Sequence, residues 1–564
     1  MPSELDLQLN AIMDALTAPG AMLETTRFTR SGVDYPVLKM APESLPALFA
    51  QFCAQHGDAE FLVDGEERLT FREAYVLAES VASGLVTRHG LRKGERVGIA
   101  ARNSANWVIV WMGVLMAGGV AALLNGWWTG EELADGVRLV DCPLVIADPE
   151  RAERLAGQDH AARVLVFRHG APGPGLAVLV AEPTRLPDMS GDDLATILYT
   201  SGSTGAAKGA VSDHRGVIHG ALSYAAQSLM VLTWFARFDK PPAGQQSALV
   251  NVPLFHVTGE IPVLLQSFII GRKLVMLPKW DAVEAMRLIE AERITYFVGV
   301  PLMSYEIATH PQRHRFDLSS CQTWAAGGAP RPADHVARIR EGLPDGYPIL
   351  GYGLTETNAV GCGNVNGNYL AKPGSTGPVS RPLVDVAVFD STGQPVAQGE
   401  TGEVAIRSVA NIIGYWQNPQ ATAEALRPDG YFLTGDLGYL DADGYLFIVD
   451  RKKDVIIRGG ENIACPEVEA AIYAHPAIAE ATVFGLPDAR LGEVPVAVYH
   501  LRPGEALCED GLRAFVAAHL APFKVPVRFF AEAAPLLRLG TEKVDKRAVK
   551  ARYAAAWNDR AAGG

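Results

Sequence analysis

The stretch Leu194-Ala195-Thr196-Ile197-Leu198-Tyr199-Thr200-Ser201-Gly202-Ser203-Thr204-Gly205-Ala206-Ala207-Lys208-Gly209 decides how this chain is read. It begins as a largely apolar run with β-formers, the composition of a short strand. It then turns abruptly to glycine, small hydroxyls and one cation. Gly202, Gly205 and Gly209 permit unusual dihedrals and let an anion come close to backbone N–H groups. The hydroxyls of Thr200, Ser201, Ser203 and Thr204 can donate to phosphate oxygens, and Lys208 supplies a point charge. A loop leaving a strand end is where α/β proteins take ligands, so the stretch reads as a polyphosphate cradle. It is not a Walker A loop, which needs Gly-Lys-Ser/Thr opening a helix. Here Gly209 follows Lys208, and Ala210-Val211-Ser212 continues as strand. A Ser/Gly surface linker is the bland alternative, and a β-like run on one side with a lone lysine on the other disfavours it.

Outward from this loop, short apolar runs alternate with helical stretches. The runs at 96–100, 120–124, 144–147, 163–167, 248–252, 273–277 and 296–300 read as strands, and 281–292 as an amphipathic helix between two of them. Such alternation predicts parallel sheets flanked by helices. Residues 170–176 and 240–245 read as loops. After about residue 380 the runs at 384–389, 402–407 and 444–449 are separated by Gly/Asp turns, which predicts a small β-rich subdomain over 380–450. The charged run Asp450-Arg451-Lys452-Lys453-Asp454 follows, and the remainder reads as a small α/β unit. A charged junction between units of different texture marks a domain boundary. The expected organisation is a large N-terminal α/β domain over 1–450, a hinge at 451–454 and a small mobile α/β C-terminal domain over 455–564.

The totals narrow the class. A chain of 564 residues is too long for one core, and 48% hydrophobic with 20% charged residues is a globular composition. A net charge of -13 argues against nucleic acid or acidic membranes as partners. Cys53, Cys142, Cys321, Cys362, Cys465 and Cys508 are scattered without a Cys-x-x-Cys pair, so free thiols in a reducing, cytoplasmic setting are expected. The N-terminus lacks the basic and apolar regions of a signal peptide. The uncharged run over 107–124 has the minimum length of a membrane span. Gly118-Gly119 interrupts it, however, and a buried helix, a glycine turn and a core strand are expected instead.

The Ser/Thr-rich loop resembles the phosphate loop of the adenylate-forming superfamily, which holds acyl-CoA synthetases, peptide-synthetase adenylation domains and firefly-type luciferases. Further segments resemble that superfamily in the same order along most of the chain. Pro253-Leu254-Phe255-His256-Val257-Thr258-Gly259 resembles the segment whose histidine closes the acyl pocket. Ala325-Ala326-Gly327-Gly328-Ala329-Pro330 resembles the loop on which adenine lies. Gly351-Tyr352-Gly353-Leu354-Thr355-Glu356-Thr357 resembles the core motif, with Tyr352 for adenine, the Thr355 hydroxyl, and Glu356 as ligand for Mg2+. Tyr431-Phe432-Leu433-Thr434-Gly435-Asp436 resembles the ribose-binding motif, with Asp436 as the carboxylate. In the charged run the resemblance gives Arg451 to ribose and Lys453 as pivot. Gly459-Gly460 resemble the segment lining the pantetheine channel after the small domain turns, and Lys543 matches the catalytic lysine of the C-terminal loop.

Two departures stand out. Ala207 occupies a place usually held by proline, and Glu542 replaces the glycine that usually precedes the lysine; Lys546 and Lys550 are the alternatives in reach. The resemblance implies an acid–thiol ligase using ATP, Mg2+ and CoA, a monomer or homodimer. Its acyl pocket would involve Val257, Thr258, Val298, Met303, Ala326, Gly327 and Gly351, and so take a fatty, arylalkanoic or similar hydrophobic acid. No Asp or Lys is expected there to meet an amine or a second carboxylate, and Glu260 could point either way. CoA is preferred over a carrier protein because the chain runs only to Gly564 after Lys543. A stand-alone enzyme loading an acyl carrier protein is the runner-up, and a catalytically silent nucleotide or acyl sensor is the alternative of another class. The intact set Glu356, Asp436, Arg451 and Lys543 argues against the sensor.

Overall fold

The computed structural model describes residues 3–170, 172–201, 207–237, 244–328, 331, 333–343, 346–539 and 543–561. Two large sheets organise the first three quarters of the chain. In the seven-stranded sheet the order is Gly414–Tyr415, Ala207–Asp213, Leu194–Ser201, Val120–Leu123, Arg96–Ala100, Leu144–Ala147, Arg163–Val166. Leu194–Ser201 and the strands after it in this order are parallel, whereas Ala207–Asp213 pairs antiparallel with its neighbours on both sides. In the eight-stranded sheet the order is Gly361–Val365, Tyr347–Gly353, Thr323–Gly327, Tyr296–Gly299, Ser247–Val250, Lys273–Met276, Glu60–Asp64, Glu67–Thr70. Only its two edge pairings are antiparallel. Inner strands such as Val120–Leu123 and Leu144–Ala147 are buried at every residue, which is why they read as unbroken apolar runs rather than alternating ones.

The uncharged run resolves as the sequence predicts. Ser104 accepts from the Trp107 N–H and starts the helix Ala105–Met116, all of which is buried. Gly118, at φ 79°, turns the chain into the strand Val120–Leu123. The helix shares one apolar cluster with Val97 and Leu123 of the first sheet and Val250 and Leu274 of the second. It also packs tightly on the helix Phe71–Thr87: a Cβ at Gly113 would lie 2.5 Å from Val81 Cγ1. Among the described residues no helix is long and apolar enough to cross a membrane.

A four-stranded antiparallel sheet, Asp385–Phe389, Gly402–Arg407, Tyr431–Leu440 and Leu446–Arg451, forms the β-rich part. Its last strand runs through Arg451 and sets that residue opposite Asp436. Beyond it, Ile456–Arg458, Glu461–Ile463, Ile478–Asp488, Gly492–Leu501 and Arg528–Glu532 form a separate sheet. The helices Cys465–Tyr473 and Glu509–Ala517 cover its core. Two details differ from the sequence reading. Pro172–Gly175 closes one short helical turn inside the expected loop, and residues 240–243 of the second expected loop lie outside the described residues.

Candidate active site

A cavity of about 1610 Å³ runs from the ends of Leu194–Ser201 and Tyr347–Gly353 along one face of the eight-stranded sheet. At one end it gathers the sequence-predicted Thr200, Lys208, His256, Gly328, Thr355, Glu356, Arg451, Lys453 and Lys543. These come from six separate stretches of chain. Thr200 and Lys208 face each other in register across the antiparallel pair Leu194–Ser201 and Ala207–Asp213. The predicted cradle residues Gly202, Ser203, Thr204 and Gly205, and the Ser201 side chain, lie outside the described residues, as do Ala329, Pro330 and Glu542.

Glu356 is held by a single helical turn, Thr355–Thr357. The Thr357 hydroxyl accepts from Leu354 N–H at 3.1 Å and donates to Val360 O at 2.7 Å. Asn358, left-handed at φ 47°, ties the turn to the first sheet by donating to Ser212 Oγ at 3.0 Å. Gly353 is required just before it, since a Cβ there would sit 2.1 Å from Ala359 O. The Glu356 carboxylate accepts from Tyr415 OH at 2.9 Å, and Lys208 Nζ lies 4.8 Å from the centre of the same Tyr415 ring. Tyr415 thus brings the loop lysine and the carboxylate into one cluster.

Asp436 is buried, accepts from Tyr352 OH at 2.7 Å and forms an ion pair with Arg451, Nε lying 3.0 Å from Oδ1. Burial raises its pKa, and the Arg451 charge opposes the rise. Tyr352 and Asp436 stand directly behind the wall, next in sequence to the lining residues Gly351, Gly353 and Gly435. Lys543 reaches into the cavity from the C-terminal part of the chain. Its loop is closed by a hydrogen bond from Leu539 N–H to Lys543 O at 2.8 Å, and Arg538 pairs with Glu480 at its base. The ammonium lies against the Gly328 backbone, where a Cβ would be 2.9 Å from Nζ; Gly328 is also left-handed at φ 74°. Burial, and then the Arg451 charge, lower the Lys543 pKa to about 8. Burial and the nearby Lys543 charge lower that of His256 to about 3, so the imidazole is neutral.

Among the lysines, the geometry favours Lys543 over its alternatives. Lys546 pairs with Glu469 at 3.3 Å and does not line the cavity, and Lys550 is exposed. Gly459 and Gly460 are exposed on a turn with φ 60° and 91°, away from the cavity.

Two sequence expectations about the acyl end are corrected, and the orientation of Glu260, left open by the sequence, is decided. Met303 does not line the cavity. It sits in the neighbouring apolar cluster with Phe297 and Trp324, and Asn251 Nδ2 lies 3.2 Å from its sulfur. Glu260 turns away as well, into full burial within the π-helical segment Gly259–Leu265. Burial pushes its pKa up to about 8, and the Trp111 indole beside it opposes the rise. Finally, the pocket is not apolar throughout. Val257, Thr258, Val298, Ala326, Gly327 and Gly351 do border it, but its far end brings in Gln246, Gln266, Arg272 and Tyr296. The N-terminal helix Glu4–Thr17 adds Leu9 and Met13 to the wall. None of these residues carries a local motif; only burial in the folded chain marks them.

The α/β architecture, with a lysine from the C-terminal unit inserted among glycine-rich turns of the larger one, defines the adenylate-forming class. The chain belongs to the AMP-binding enzyme family: the family model so described matches residues 49–416, and that of the AMP-binding enzyme C-terminal domain matches 467–540. It is 35% identical to a feruloyl-CoA synthase from an Amycolatopsis species, over 87% of this chain and 95% of that protein. A long-chain-fatty-acid–CoA ligase from Bacillus subtilis is 31% identical over 87% of this chain and 91% of its own length. The ATP-bound crystal structure of MatB from Rhodopseudomonas palustris superposes with a TM-score of 0.79 at 28% identity, covering 90% of this chain and 99% of that one.

Proposed function

We infer that the protein is an AMP-forming carboxylate–CoA ligase, and that its two half-reactions use one cavity in turn. The observation that carries the reading is the depth of Lys543 in the cavity, beside Gly328 and near neutral His256. In the first half-reaction the carboxylate attacks the α-phosphorus of ATP, and pyrophosphate leaves from an acyl-adenylate. No covalent bond to the protein is needed, so catalysis comes from positioning and charge neutralisation. Lys543 spans the acid carboxylate and the α-phosphate oxygens, Lys208 and the hydroxyl loop take the β- and γ-phosphates, and Asp436 with Arg451 takes the ribose. Tyr352 and the Gly327-Gly328 turn bound the adenine. Neutral His256 closes the acyl pocket without adding charge beside the attacking carboxylate.

Glu356 fits a Mg2+ site. It is a carboxylate on the cavity wall with one oxygen engaged by Tyr415, and Mg2+ is usually held by one or two carboxylates plus substrate phosphates. The ion would supply charge neutralisation on the polyphosphate. Among the described residues no larger acidic or histidine cluster offers a metal site.

In the second half-reaction the small domain, 455–564, turns about Lys453, which is exposed on the turn after the strand Leu446–Arg451. Lys543 withdraws, Gly459 and Gly460 arrive, and the CoA thiol attacks the adenylate carbonyl, releasing AMP. Hinge rotation at a few residues is an established way to reuse one site. Single-turnover assays test the scheme. Lys453→Pro fixes φ near -65°, and Gly459→Leu puts a side chain on the channel. Both are expected to release pyrophosphate once, accumulate acyl-adenylate and lose thioester formation. Thioester formation at the parent rate in both variants would leave one static site serving both steps.

A further inference from the structure

At the far end of the cavity a positive charge is buried without a counter-charge among the described residues. Arg272 is 4% exposed and lines the cavity just before the strand Lys273–Met276. Its polar contact is a neutral one, from Nη1 to Gln266 Oε1 at 3.2 Å, and its Nε has no hydrogen-bond partner. The guanidinium carbon lies 4.2 Å from the centre of the Tyr296 ring. No carboxylate among the described residues pairs with it, and burial pulls its pKa down to about 10. A guanidinium removed from water without a paired acceptor is costly.

The group is nonetheless held in place. The Gln266 amide nitrogen donates to Tyr224 O at 3.0 Å and to Ser228 Oγ at 2.6 Å, both on the helix His214–Ala236. That fixes the amide so that its oxygen faces Arg272. Gln266 is therefore a positioning residue, and the guanidinium is ordered before any ligand arrives. Its distance from the chemistry follows from the sheet. Tyr296 pairs with Thr323 at the start of the strand Thr323–Gly327, and the last residue of that strand adjoins Gly328, which lies against Lys543. Four residues of parallel strand span roughly 13 Å.

We propose that Arg272, oriented by Gln266, is a specificity residue that takes an oxygen acceptor at the far end of the acid, a ketone or a second carboxylate about 10–13 Å from the carboxylate that is activated. Plain alkanoic acids would leave the guanidinium unpaired, whereas an ω-oxo or dicarboxylic acid satisfies it. A site built around a polar contact rejects ligands that lack the group more strongly than an apolar pocket sorts by size. The proposal rests on the carboxylate-activating reading of the same cavity and adds the class of acid.

Decanoate, 9-oxodecanoate and decanedioate share one chain length and differ only at the far end. Their binding to the intact protein is measured by calorimetry without ATP, and their kcat/KM by pyrophosphate release. The oxo acid, the diacid or both are expected to exceed decanoate by roughly ten- to a hundredfold in each assay. Preference for the oxo acid identifies a neutral acceptor, and preference for the diacid an anionic one. Arg272→Met should abolish the advantage and leave decanoate within about threefold of parent. Equal or better binding of decanoate by the parent overturns the proposal, and so does an equal loss for all three acids in Arg272→Met. The parent's own preference decides the matter if the variant does not fold. Selective binding without pyrophosphate release would instead overturn the adenylation reading and keep the subsite; pyrophosphate release without selectivity would do the reverse.

Discussion

The two ends of the cavity are built in opposite ways. The end proposed for the nucleotide draws on short local segments that carry their chemistry within a few residues: Thr355 and Glu356, Gly327 and Gly328, and Lys543 on its wall, with Asp436 of the strand Tyr431–Leu440 behind it. Its polar groups are paired with one another, as Asp436 is with Tyr352 and Arg451, and Glu356 with Tyr415. The far end is assembled from single residues of elements distant in sequence: Gln266 after a π-helical segment, Arg272 before a strand, and Tyr296 in another strand. Among the described residues its cation has no paired anion. Local motifs serve the part of the reaction shared by every substrate, whereas the part facing the variable acid is free of them. The difference teaches that one end of the cavity balances its charge within the protein, whereas the other holds a buried cation that the proposed acid would balance.

The largest break is expected at the nucleotide end. Lys543→Ala should lower adenylation by about a hundred- to a thousandfold, the scale for removing one group that stabilises transition-state charge. Conversion of a supplied acyl-adenylate and CoA to thioester should persist. Lys546→Ala should stay near parent, because that side chain pairs with Glu469 outside the cavity. Adenylation that survived Lys543→Ala and failed in Lys546→Ala would move the assignment.

Next is Asp436→Ala, which removes the carboxylate that accepts from Tyr352 and pairs with Arg451. ATP and AMP affinity should fall by roughly 1.5–3 kcal/mol, measured calorimetrically. Unchanged affinity would place the ribose elsewhere.

The pH profile gives a smaller, signed effect. Lys543 must be protonated to neutralise phosphate, and its pKa is lowered to about 8 in the free protein by burial and then by Arg451. The kcat/KM for adenylation should therefore fall as pH rises through 8, about tenfold per unit beyond it. In kcat the fall should shift to higher pH, since bound polyphosphate favours the cation. His256, lowered to about 3, stays neutral throughout and adds no break above pH 4. A flat kcat/KM from pH 7 to 10 would contradict the buried lysine's role.

The smallest expected effect sharpens the comparison at the far end. Gln266→Ala leaves Arg272 in place and removes its orienting amide. It should reduce the preference for the acceptor-bearing acid by roughly two- to tenfold, the worth of one neutral hydrogen bond, less than Arg272→Met does. Preference unchanged by Gln266→Ala would show that the Tyr296 ring alone orients the guanidinium.

Most of the fold was legible in the chain. Arg96–Ala100, Leu144–Ala147 and Gly402–Arg407 stand where the apolar runs place them, and the uncharged run resolves into helix, glycine turn and strand. The nucleotide end was legible too, because its turns depend on local backbone demands that leave a signature: glycine at 328 and 353, threonine at 355 and 357, and an acid between them. Met303 was misplaced because an apolar side chain near a site reads the same whether it faces the cavity or the core behind it. The character of the acyl end depended on the tertiary structure. Whether Glu260 or Arg272 faces the cavity turns on the rotation of a π-helical segment and on the packing of a remote helix against Gln266. Periodicity and turn chemistry act over a few residues, so the sequence by itself determined the elements, their order and the shared chemistry. Burial of a charge is a property of everything packed around it, and only the folded chain decided which charge is buried at the cavity wall.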